Sequence, residues 1–253
     1  MKEKKNLRRT LDEDLAAEVE EIFLHNRCVY GARKIKAILG KRNKQISRRR
    51  IIRIMKAKGL DSVYQRRKYK AYKTRTNEHE ISNLLNRDFN DKKPHTVIVG
   101  DLTYVGVRNK WHYICLLVDL HNREIIGSSC GERKDSALVK SAFRSIKTNL
   151  FKIGMFHTDR GSEFDNYDIS EILDTFKITR SLSHKGCPYD NAVSEATFKL
   201  IKAEFVYRNT FDSIEHLKRE LDDYINWYNN ARVHSKLGYM TPTEYREASL
   251  TFL

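Results

Sequence analysis

Three acidic residues of this chain have the spacing and the neighbours to bind divalent metal ions. Asp101 interrupts the apolar run T-V-I-V-G-D-L-T-Y-V, Asp159 lies in F-H-T-D-R-G-S-E-F, and Glu195 follows after 35 intervening residues. Three carboxylates on ordered elements can hold two divalent ions about 3.5–4 Å apart, which activate an attacking oxygen and stabilise a leaving one. The sequence therefore predicts a metal-dependent site that acts on a phosphodiester.

The first two carboxylates also have structural explanations. On the predicted strand, Asp101 shares a face with Val97 and Val99, where a carboxylate is unfavourable unless it is paired or bound to metal. Asp119 ends another apolar run and competes with Asp101. Asp159 follows a predicted strand, where open α/β sheets place ligands, but a single Asp there is more often a turn or cap residue.

The third carboxylate lies one turn into a predicted helix. Lys199 and Lys202 follow Glu195 at spacings of four and seven residues, so the three share a face. This pattern predicts lysines that contact DNA phosphates beside the site, and an ordinary surface Glu–Lys pair is the alternative. Of the competing acids, Glu163 is predicted to hydrogen-bond the turn after the strand, and Glu204 lies about 90° around the helix from Glu195.

The basic residues are concentrated in the first third of the chain. The chain has a formal net charge of +15, and residues 1–75 contain 24 Lys and Arg against 8 Asp and Glu. The remainder is close to neutral. This asymmetry predicts an N-terminal DNA-binding segment joined to a near-neutral body. A basic, disordered tail is the alternative, which the helical periodicity of the segment disfavours.

Within residues 1–62 the pattern predicts a helix-turn-helix domain. Helices are predicted over 12–26 and 32–39, and a basic helix follows the N-cap Ser47 and ends at Gly59. The second helix of such a motif enters the DNA major groove. The predicted inward stripe is Ile51, Ile52, Ile54 and Met55. The predicted DNA contacts on the outward side are Arg48, Arg49, Arg50, Arg53 and Lys56.

A basic linker and a connecting helix are predicted over residues 63–93. Six of the ten residues from 66 to 75 are Lys or Arg, with two tyrosines between them. Such a segment favours contact with DNA phosphates, and a solvated loop is the alternative. The predicted contacts are Arg66, Arg67, Lys68 and Lys70. The connecting helix is predicted over 78–89.

The body of the chain alternates predicted strands and helices. Strands are predicted over 96–105, 111–120, 123–130, 153–158 and 178–183. Helices are predicted over 137–148, 169–176, 191–206 and 213–230, the last with the capping pattern Asp212-x-x-Glu215. Because the first two strands form a hairpin, the pattern predicts an α/β sheet with three antiparallel leading strands over 94–210. A C-terminal helix and tail are predicted over 211–253.

Composition excludes several classes of protein. No run of about 18 apolar residues and no signal-peptide pattern occur, so no membrane partner is expected and a cytoplasmic location is predicted. The sequence contains no C-x-x-C, which argues against a zinc ribbon or a redox pair. Reduced thiols are expected at Cys28, Cys115, Cys130 and Cys187.

Several long motifs resemble the transposases of the insertion-sequence-three family, within the retroviral integrase superfamily. The motifs are G-D-L-T-Y-V, H-T-D-R-G-S-E-F, Y-D-N-A-V-S-E-A-T-F-K-L-I-K-A-E-F and Y-N-N-A-R-V-H-S-K-L-G-Y-M-T-P-T-E-Y. Residues 30–40 and 46–60 are similar to the family's helix-turn-helix. The resemblance implies a ribonuclease-H-like integrase catalytic core with an Asp-Asp-Glu triad at Asp101, Asp159 and Glu195. The family's basic position falls on Lys202.

The resemblance also implies an activity and its partners. The chain would be a polynucleotidyl transferase that cleaves and joins DNA strands at the ends of an insertion sequence, with two Mg²⁺ ions per site, replaceable by Mn²⁺. Expected partners are double-stranded DNA of the terminal inverted repeats and the target, further copies of the chain, and an upstream-frame product. A bacterial, nucleoid-associated location is expected. The chain departs from the family at Ile98 and Gly100, which replace Trp and Thr, and at Val233, which replaces Pro.

Other functions remain open from the residues alone. His216 and Arg219 with Tyr239 or Tyr245 imitate part of a tyrosine recombinase site, although the first two fit the charged face of an amphipathic helix. A helix-turn-helix regulator with an inactive core and a ribonuclease-H-like nuclease without strand transfer are further alternatives. Strand transfer with a divalent metal distinguishes a transposase from all three.

Overall fold

The computed structural model describes residues 2–65, 83–86, 88–89, 92–184 and 188–251. The predicted contacts Arg66, Arg67, Lys68 and Lys70 lie outside these ranges, as does Cys187. The chain divides into two compact units. The first comprises residues 1–71 and 233–239, and the second comprises residues 72–232 and 240–253.

The first unit contains the predicted helix-turn-helix. Its helices are α1 (Lys2–His25), α2 (Ala32–Lys41) and α3 (Arg48–Ala57), followed by a short 3₁₀ turn at Val63–Gln65. Helix α1 begins ten residues earlier than the periodicity predicts. Ser47 caps α3 as expected, because its hydroxyl accepts a hydrogen bond from the Arg50 amide at 3.3 Å. The buried residues of this unit include Val19, Ile22, Ile35, Leu39 and Ile51.

The inward stripe of α3 is narrower than predicted. Ile51 and Met55 are buried, Ile54 is half-buried, and Ile52 is 49% exposed. Successive helical residues are rotated by about 100°, so a residue adjacent to Ile51 turns away from the face that packs. The basic side is open as predicted: Arg48, Arg49, Arg53 and Lys56 are exposed, and Arg50 is half-buried.

Acidic residues of α1 pair with other basic residues of the same unit. Glu18 lies 2.6 Å from Lys44 and 3.1 Å from Arg42, and Glu20 lies 2.8 Å from Lys58. The hydrogen bond from Lys44 is the largest effect that lowers the pKa of Glu18. Part of the N-terminal positive charge is therefore balanced inside the unit, and the exposed side of α3 is not part of these pairs.

The second unit is built on a five-stranded mixed sheet in the order β3-β2-β1-β4-β5. The strands are β1 (Val97–Val107), β2 (Lys110–Asp119), β3 (Ile125–Gly131), β4 (Met155–Thr158) and β5 (Thr179–Leu182). Strands β1, β2 and β3 are antiparallel neighbours, whereas β4 is parallel to β1 and to β5. The prediction of three antiparallel leading strands with a β1–β2 hairpin is confirmed.

Five helices accompany this sheet. They are α4 (Ser136–Arg144), α5 (Tyr167–Thr175), α6 (Ala192–Glu204), α7 (Ile214–Asn230) and α8 (Pro242–Thr251). Helices α4 and α5 pack over a core that includes Ile98, Phe143, Phe156 and Phe164. Helix α6 packs against β1, and α7 packs against β3. Among the helices in the described ranges, none combines the length and apolar composition that crossing a membrane requires.

Two helix starts differ from prediction. Helix α7 is capped by Ser213, not Asp212, since the Ser213 hydroxyl accepts from the His216 amide at 3.1 Å. Helix α8 was not predicted, yet its start has a capping box. The Thr241 amide donates to the Glu244 carboxylate at 2.9 Å, and the Glu244 amide donates to the Thr241 hydroxyl at 3.1 Å.

The helix predicted over 78–89 is wrong for its described part. Residues 83–86 form bends and a turn, while residues 78–82 lie outside the described ranges. The amides of Leu84 and Leu85 donate to the hydroxyl of Ser181 on β5, at 3.0 and 3.2 Å. These amides satisfy their hydrogen bonds on the sheet, so this segment does not need a helix.

Candidate active site

Asp101 and Asp159 occupy equivalent positions on neighbouring parallel strands. Val99 of β1 pairs with His157 of β4, and each aspartate lies two residues farther along its own strand direction. Neighbouring strands are about 4.8 Å apart, and residues two apart point to the same face. The register therefore brings Asp101, in the middle of β1, beside Asp159, which directly follows the carboxyl end of β4.

Burial and neighbouring charge act on both carboxylates. Burial raises the pKa of Asp101 to about 7, and the charges of Asp159 and Glu163 add to the rise. The Leu102 amide, which donates to Asp101 at 2.7 Å, and the charge of Lys202 oppose it. Although Asp159 has one side open to solvent, burial of its carboxyl is the main cause of its raised pKa. The two aspartates therefore form an electrostatically coupled pair that favours a bound cation.

An ion pair between an exposed lysine and a buried glutamate lies next to these aspartates. Lys134, in the turn after β3, places its Nζ 2.9 Å from Oε1 of Glu163, which is buried. The charge of Lys134 lowers the pKa of Asp159 and so offsets part of the negative charge. Glu163 was expected to hydrogen-bond the turn, but it accepts from Lys134. Its carboxylate also closes over Gly161, where an added Cβ would lie 2.4 Å from Oε1.

Helix α6 places Glu195 and Lys202 near the strands. Glu195 lies in the first turn of α6, is half-buried, and has Oε2 3.5 Å from Nζ of Lys199. This is the surface Glu–Lys pair that the sequence offers as the structural alternative. Lys202 acts electrostatically on Asp101, and its Nζ lies 5.4 Å from the ring centroid of Tyr104. Lys202 of α6 therefore interacts electrostatically with the aspartate pair.

The donors at this site suit a hard divalent cation. Carboxylate oxygens are the ligands that Mg²⁺ and Mn²⁺ prefer. A cation would offset the burial and the neighbouring negative charges that raise the pKa values of Asp101 and Asp159. Within the part of the chain that the structure describes, no three His, Cys, Asp or Glu side chains already form a metal-binding group. The aspartate pair fits the ion, and a third ligand requires movement of a side chain.

The competing acids have structural partners. Asp119 is fully buried and accepts from the amides of His95 and His121 at 2.8 and 3.0 Å. Glu204 is also buried, and its Oε1 lies 2.6 Å from the Arg232 guanidinium. Both carboxylates therefore already have hydrogen-bond or ion-pair partners within the fold, which disfavours them as metal ligands.

His157 is a residue at this site that sequence reasoning did not identify. Its Nδ1 lies 2.9 Å from the Ser181 hydroxyl, and its Nε2 lies 3.0 Å from the carbonyl oxygen of Asp190. Because a carbonyl can only accept, Nε2 carries the proton and Ser181 donates to Nδ1. Burial lowers the pKa of His157 to about 4, so the ring is neutral at pH 7. The ring thereby joins β4, β5 and the 3₁₀ turn that leads into α6.

The residues that imitate a recombinase site lie on a charged helix surface. His216 of α7 lies 3.6 Å from Asp212 and 3.7 Å from Glu220, and Arg219 lies 3.6 Å from Glu220. Tyr245 of α8 packs against the ring of His121. These contacts account for His216 and Arg219 as the charged face of an amphipathic helix.

The fold and the paired aspartates define a ribonuclease-H-like integrase core. The family described as Integrase core domain matches residues 91–188 and 195–250, and that described as HTH-like domain matches residues 10–69. The chain is 32% identical to InsK of insertion sequence element IS150 from Escherichia coli K12, over 92% of this chain and 83% of that protein. It is 29% identical to the transposase for insertion sequence element IS904 from Lactococcus lactis, over 93% and 94%.

The chain belongs to the insertion-sequence-three family of transposases. Among solved structures, the integrase catalytic core domain of HTLV-2 in complex with magnesium, in its trimeric form, is similar with a TM-score of 0.50. That likeness has 18% sequence identity and covers 61% of this chain and 97% of the viral domain. It supports the fold of the catalytic core.

Proposed function

We propose that this chain cleaves DNA at the ends of an insertion sequence and transfers the freed strands to a target. The observation that carries the proposal is the coupled pair of Asp101, on β1, and Asp159, which directly follows the neighbouring parallel strand β4. Family membership supports a polynucleotidyl transferase that acts in DNA transposition. The aspartate pair disfavours the alternative of a regulator with an inactive core.

The proposed triad is Asp101, Asp159 and Glu195, holding two Mg²⁺ ions that Mn²⁺ can replace. When bound, such ions activate the attacking oxygen and stabilise the leaving one. The two aspartates are already adjacent, and the Glu195 side chain must leave Lys199 to join them, since Lys199 lies only 3.5 Å away. Lys199 is proposed to bind a DNA phosphate beside the site.

The remaining residues of the site position the DNA. Lys202 is close enough to Asp101 for its charge to lower the pKa of that carboxyl. From this position the Lys202 ammonium can hold the phosphate that is to be cleaved. Water attacks this phosphodiester first, and the freed 3′-hydroxyl then attacks a target phosphodiester. Both attacking groups are oxygens of water or DNA, so the chain forms no covalent bond to its substrate.

The first unit is proposed to bind the terminal repeats through α3. Arg48, Arg49, Arg53 and Lys56 are exposed on one side of this helix, as groove and phosphate contacts require. Arg50, which is half-buried, is the fifth proposed contact. The segment with Arg66, Arg67, Lys68 and Lys70 is proposed to follow the phosphate backbone.

The chain is proposed to act as a multimer on two element ends. One set of carboxylates serves one phosphodiester at a time, whereas transposition joins two ends to a target. An upstream-frame product is a proposed further partner, and the bacterial nucleoid is the proposed location. Mass photometry with end DNA tests the first point, because active complexes that are purely monomeric would contradict it.

The activity is tested with a supercoiled plasmid that carries the gene and its own flanking DNA. Asp101→Asn, Asp159→Asn and Glu195→Gln each remove a charge that a divalent ion needs while keeping the shape of the side chain. We expect each variant to lose nicking and strand transfer in Mg²⁺ and to bind the flanking DNA as the unchanged chain does.

The matched control is Glu171→Gln, an exposed carboxylate on α5. We expect this variant to keep its activity. Near-normal strand transfer by Glu195→Gln would remove Glu195 from the triad. Failure of the unchanged chain to nick its own flanking DNA, with either Mg²⁺ or Mn²⁺, would contradict the proposed function itself.

A further inference from the structure

An exposed aromatic pair lies on the β1–β2 hairpin. Tyr104 is 52% exposed and Trp111 is 65% exposed, yet their ring centroids are 5.2 Å apart with planes at 86°. Tyr104 pairs with Tyr113 in the ladder, and Gly106 pairs with Trp111, so the two rings are diagonal neighbours on one face. The pair is preformed and remains open to solvent.

Gly106 lies directly across from the indole of Trp111. A Cβ at position 106 would lie 3.9 Å from the Trp111 ring, which is an ordinary van der Waals contact, so the indole packs over this position without crowding it. The chain's other tryptophan, Trp227, is only 8% exposed. Large aromatic groups that serve a core are buried, and an exposed pair of this kind more often marks a contact site.

Positive charge lies beside the pair. The Nζ of Lys202 lies 5.4 Å from the Tyr104 ring centroid, within the range of a cation–π contact. The adjoining hairpin turn adds Arg108, which is exposed, whereas Lys110 precedes Trp111 on β2 and points to the opposite face. A cation at an aromatic ring and a second cation in the adjoining turn suit a polyanion that carries flat rings. The same like charges disfavour pairing of this patch with a second copy of itself.

Lys202 links the pair to the proposed catalytic carboxylates. Tyr104 follows Asp101 by three residues on β1, which is about 10 Å along the strand, and alternation directs the two side chains to opposite faces of it. Stacked nucleotides rise about 3.4 Å each along a strand of DNA, so this distance corresponds to about three nucleotides. Lys202 interacts with both Asp101 and Tyr104 and so connects the two places.

We propose that Tyr104 and Trp111 stack an unpaired DNA base within about three nucleotides of the phosphodiester at the carboxylates. Lys202 and Arg108 hold the adjoining phosphates. The unpaired base comes from the strand that is separated from its complement next to the reacting phosphate. The inference rests on the proposed function, to which it adds a site for single-stranded DNA beside the active site.

Tryptophan fluorescence of the full chain tests the stacking directly. The probe is a mixed-sequence 12-nucleotide strand, compared with the same sequence as a blunt duplex, in a chelator so that no cleavage occurs. Because Trp227 is buried, we expect the single strand to quench mainly the Trp111 emission. The Trp111→Phe variant, which keeps an aromatic ring, should bind the strand with most of this quenching lost.

Affinity of the same single strand tests the energetic role. Loss of a base–aromatic stack weakens binding by roughly 5- to 150-fold, which we expect for Trp111→Ala and, toward the lower end, for Tyr104→Ala. Affinity for the blunt duplex should stay within about twofold. Tyr167→Ala is the matched control, because Tyr167 of α5 is 81% exposed and lies on another element.

Salt dependence separates stacking from charge. Arg108→Ala should lower the slope of log affinity against log salt by about 0.7, the value for one phosphate contact on a single strand. Trp111→Ala should leave the slope unchanged while it weakens binding. A change of slope with Trp111→Ala would indicate altered charge contacts and overturn the stacking role.

Two results would overturn the inference. One is an unchanged single-strand affinity in both Trp111→Ala and Tyr104→Ala variants whose circular dichroism matches the unchanged chain. The other is a shift from dimer to monomer in these variants with unchanged single-strand affinity, which would make the pair an interface between copies. Both measurements are made without catalysis, so failure of the proposed function, seen as absent nicking, is a separate result.

Discussion

At the scale of single residues, the negative charge of Asp101 is needed to bind the proposed metal ion but is unfavourable for the stability of the fold. Its carboxyl has an ordinary pKa of 3.8 and a pKa of about 7 in the folded chain. Above pH 7 the folded chain keeps a charge that burial and Asp159 disfavour, and below pH 4 both the folded and unfolded chains are protonated. The unfavourable contribution is therefore complete above pH 7 and disappears as the pH falls toward 4.

Asp101→Asn is accordingly expected to stabilise the fold while it abolishes metal-dependent activity. The gain in the free energy of unfolding should be on the order of 2–4 kcal/mol at pH 8 and should shrink toward zero near pH 4. Urea unfolding at several pH values measures it. A pH-independent gain, or a loss at pH 8, would show that the Asp101 charge is not disfavoured in the folded chain.

Lys134 offsets part of the negative charge at the site. Because its charge lowers the pKa of Asp159 and it pairs with Glu163, Lys134→Met should make the site more attractive to a divalent ion. We expect Mn²⁺ to bind several-fold more tightly, on the order of 1 kcal/mol, in an electron paramagnetic resonance titration. Lys152→Met, at an exposed lysine on another segment, is the control. Weaker Mn²⁺ binding in Lys134→Met would contradict this account.

At the scale of elements, a few buried polar side chains fix the relative positions of strands and helices. His157 holds β4, β5 and the turn before α6 together through Ser181 and Asp190. The ordinary pKa of histidine is 6.5, and that of His157 is about 4. In the window between these values the unfolded chain takes up a proton that the folded chain does not. The contribution to stability is complete above pH 6.5 and is lost as the pH falls toward 4.

His157→Gln removes this titration. We expect the variant to be less stable at pH 7 and to lose less stability than the unchanged chain between pH 6.5 and 4, by on the order of 2–3 kcal/mol. The measured quantity is the difference in the free energy of unfolding between the variant and the unchanged chain. The titration of Asp101 affects both chains equally and therefore cancels in this difference. Parallel stability curves for the two chains across this window would rule out His157 as the titrating group.

The buried pair of Glu204 and Arg232 connects α6 with the end of α7. Glu204 also accepts from the Tyr224 hydroxyl at 3.0 Å, and Arg232 is 3% exposed. Glu204→Gln leaves Arg232 without its carboxylate, and breaking such a buried pair costs about 3–5 kcal/mol. We expect this loss in urea unfolding, with nicking by the folded fraction retained. Complete loss of nicking in a stably folded Glu204→Gln chain would give Glu204 a role in catalysis.

At the scale of the whole molecule, some basic residues of the first unit form ion pairs within it, and others are exposed on α3. Arg42, Lys44 and Lys58 are paired with acids of α1 inside the first unit. The exposed basic residues of α3 are not in these pairs, so they can release counterions when DNA binds. Net charge alone therefore overstates the number of DNA contacts.

Combined Arg48→Gln, Arg49→Gln, Arg53→Gln and Lys56→Gln changes test this division. Each lost phosphate contact lowers the slope of log affinity against log salt by about 0.9 on duplex DNA, so we expect a clearly flatter slope. Lys44→Gln is the matched control and should leave the slope unchanged, because Lys44 already pairs with Glu18. Equal flattening in the control would mean that α3 is not the main contact. Fluorescence anisotropy with a labelled duplex measures both.

The sequence by itself determined the family, the succession of strands and of most helices along the chain, and the candidate acids. These features follow from local patterns: alternation gives strands, caps such as Ser47 start helices, and the ordered motifs around Asp101, Asp159 and Glu195 carry the resemblance. The missed helix α8 also had a local signal, the capping box of Thr241 and Glu244.

Only the tertiary structure decided which charges meet. Glu163 pairs with Lys134, the His157 ring donates to the Asp190 carbonyl, and Glu204 pairs with Arg232. These partners are 29, 33 and 28 residues apart in the sequence. No local pattern encodes such contacts, because they depend on how the chain crosses the sheet and returns. The same holds for the aspartate pair, since the register of β4 against β1 brings Asp159 beside Asp101. Periodicity fixes the face of a strand on which a residue lies, whereas strand register fixes its neighbour.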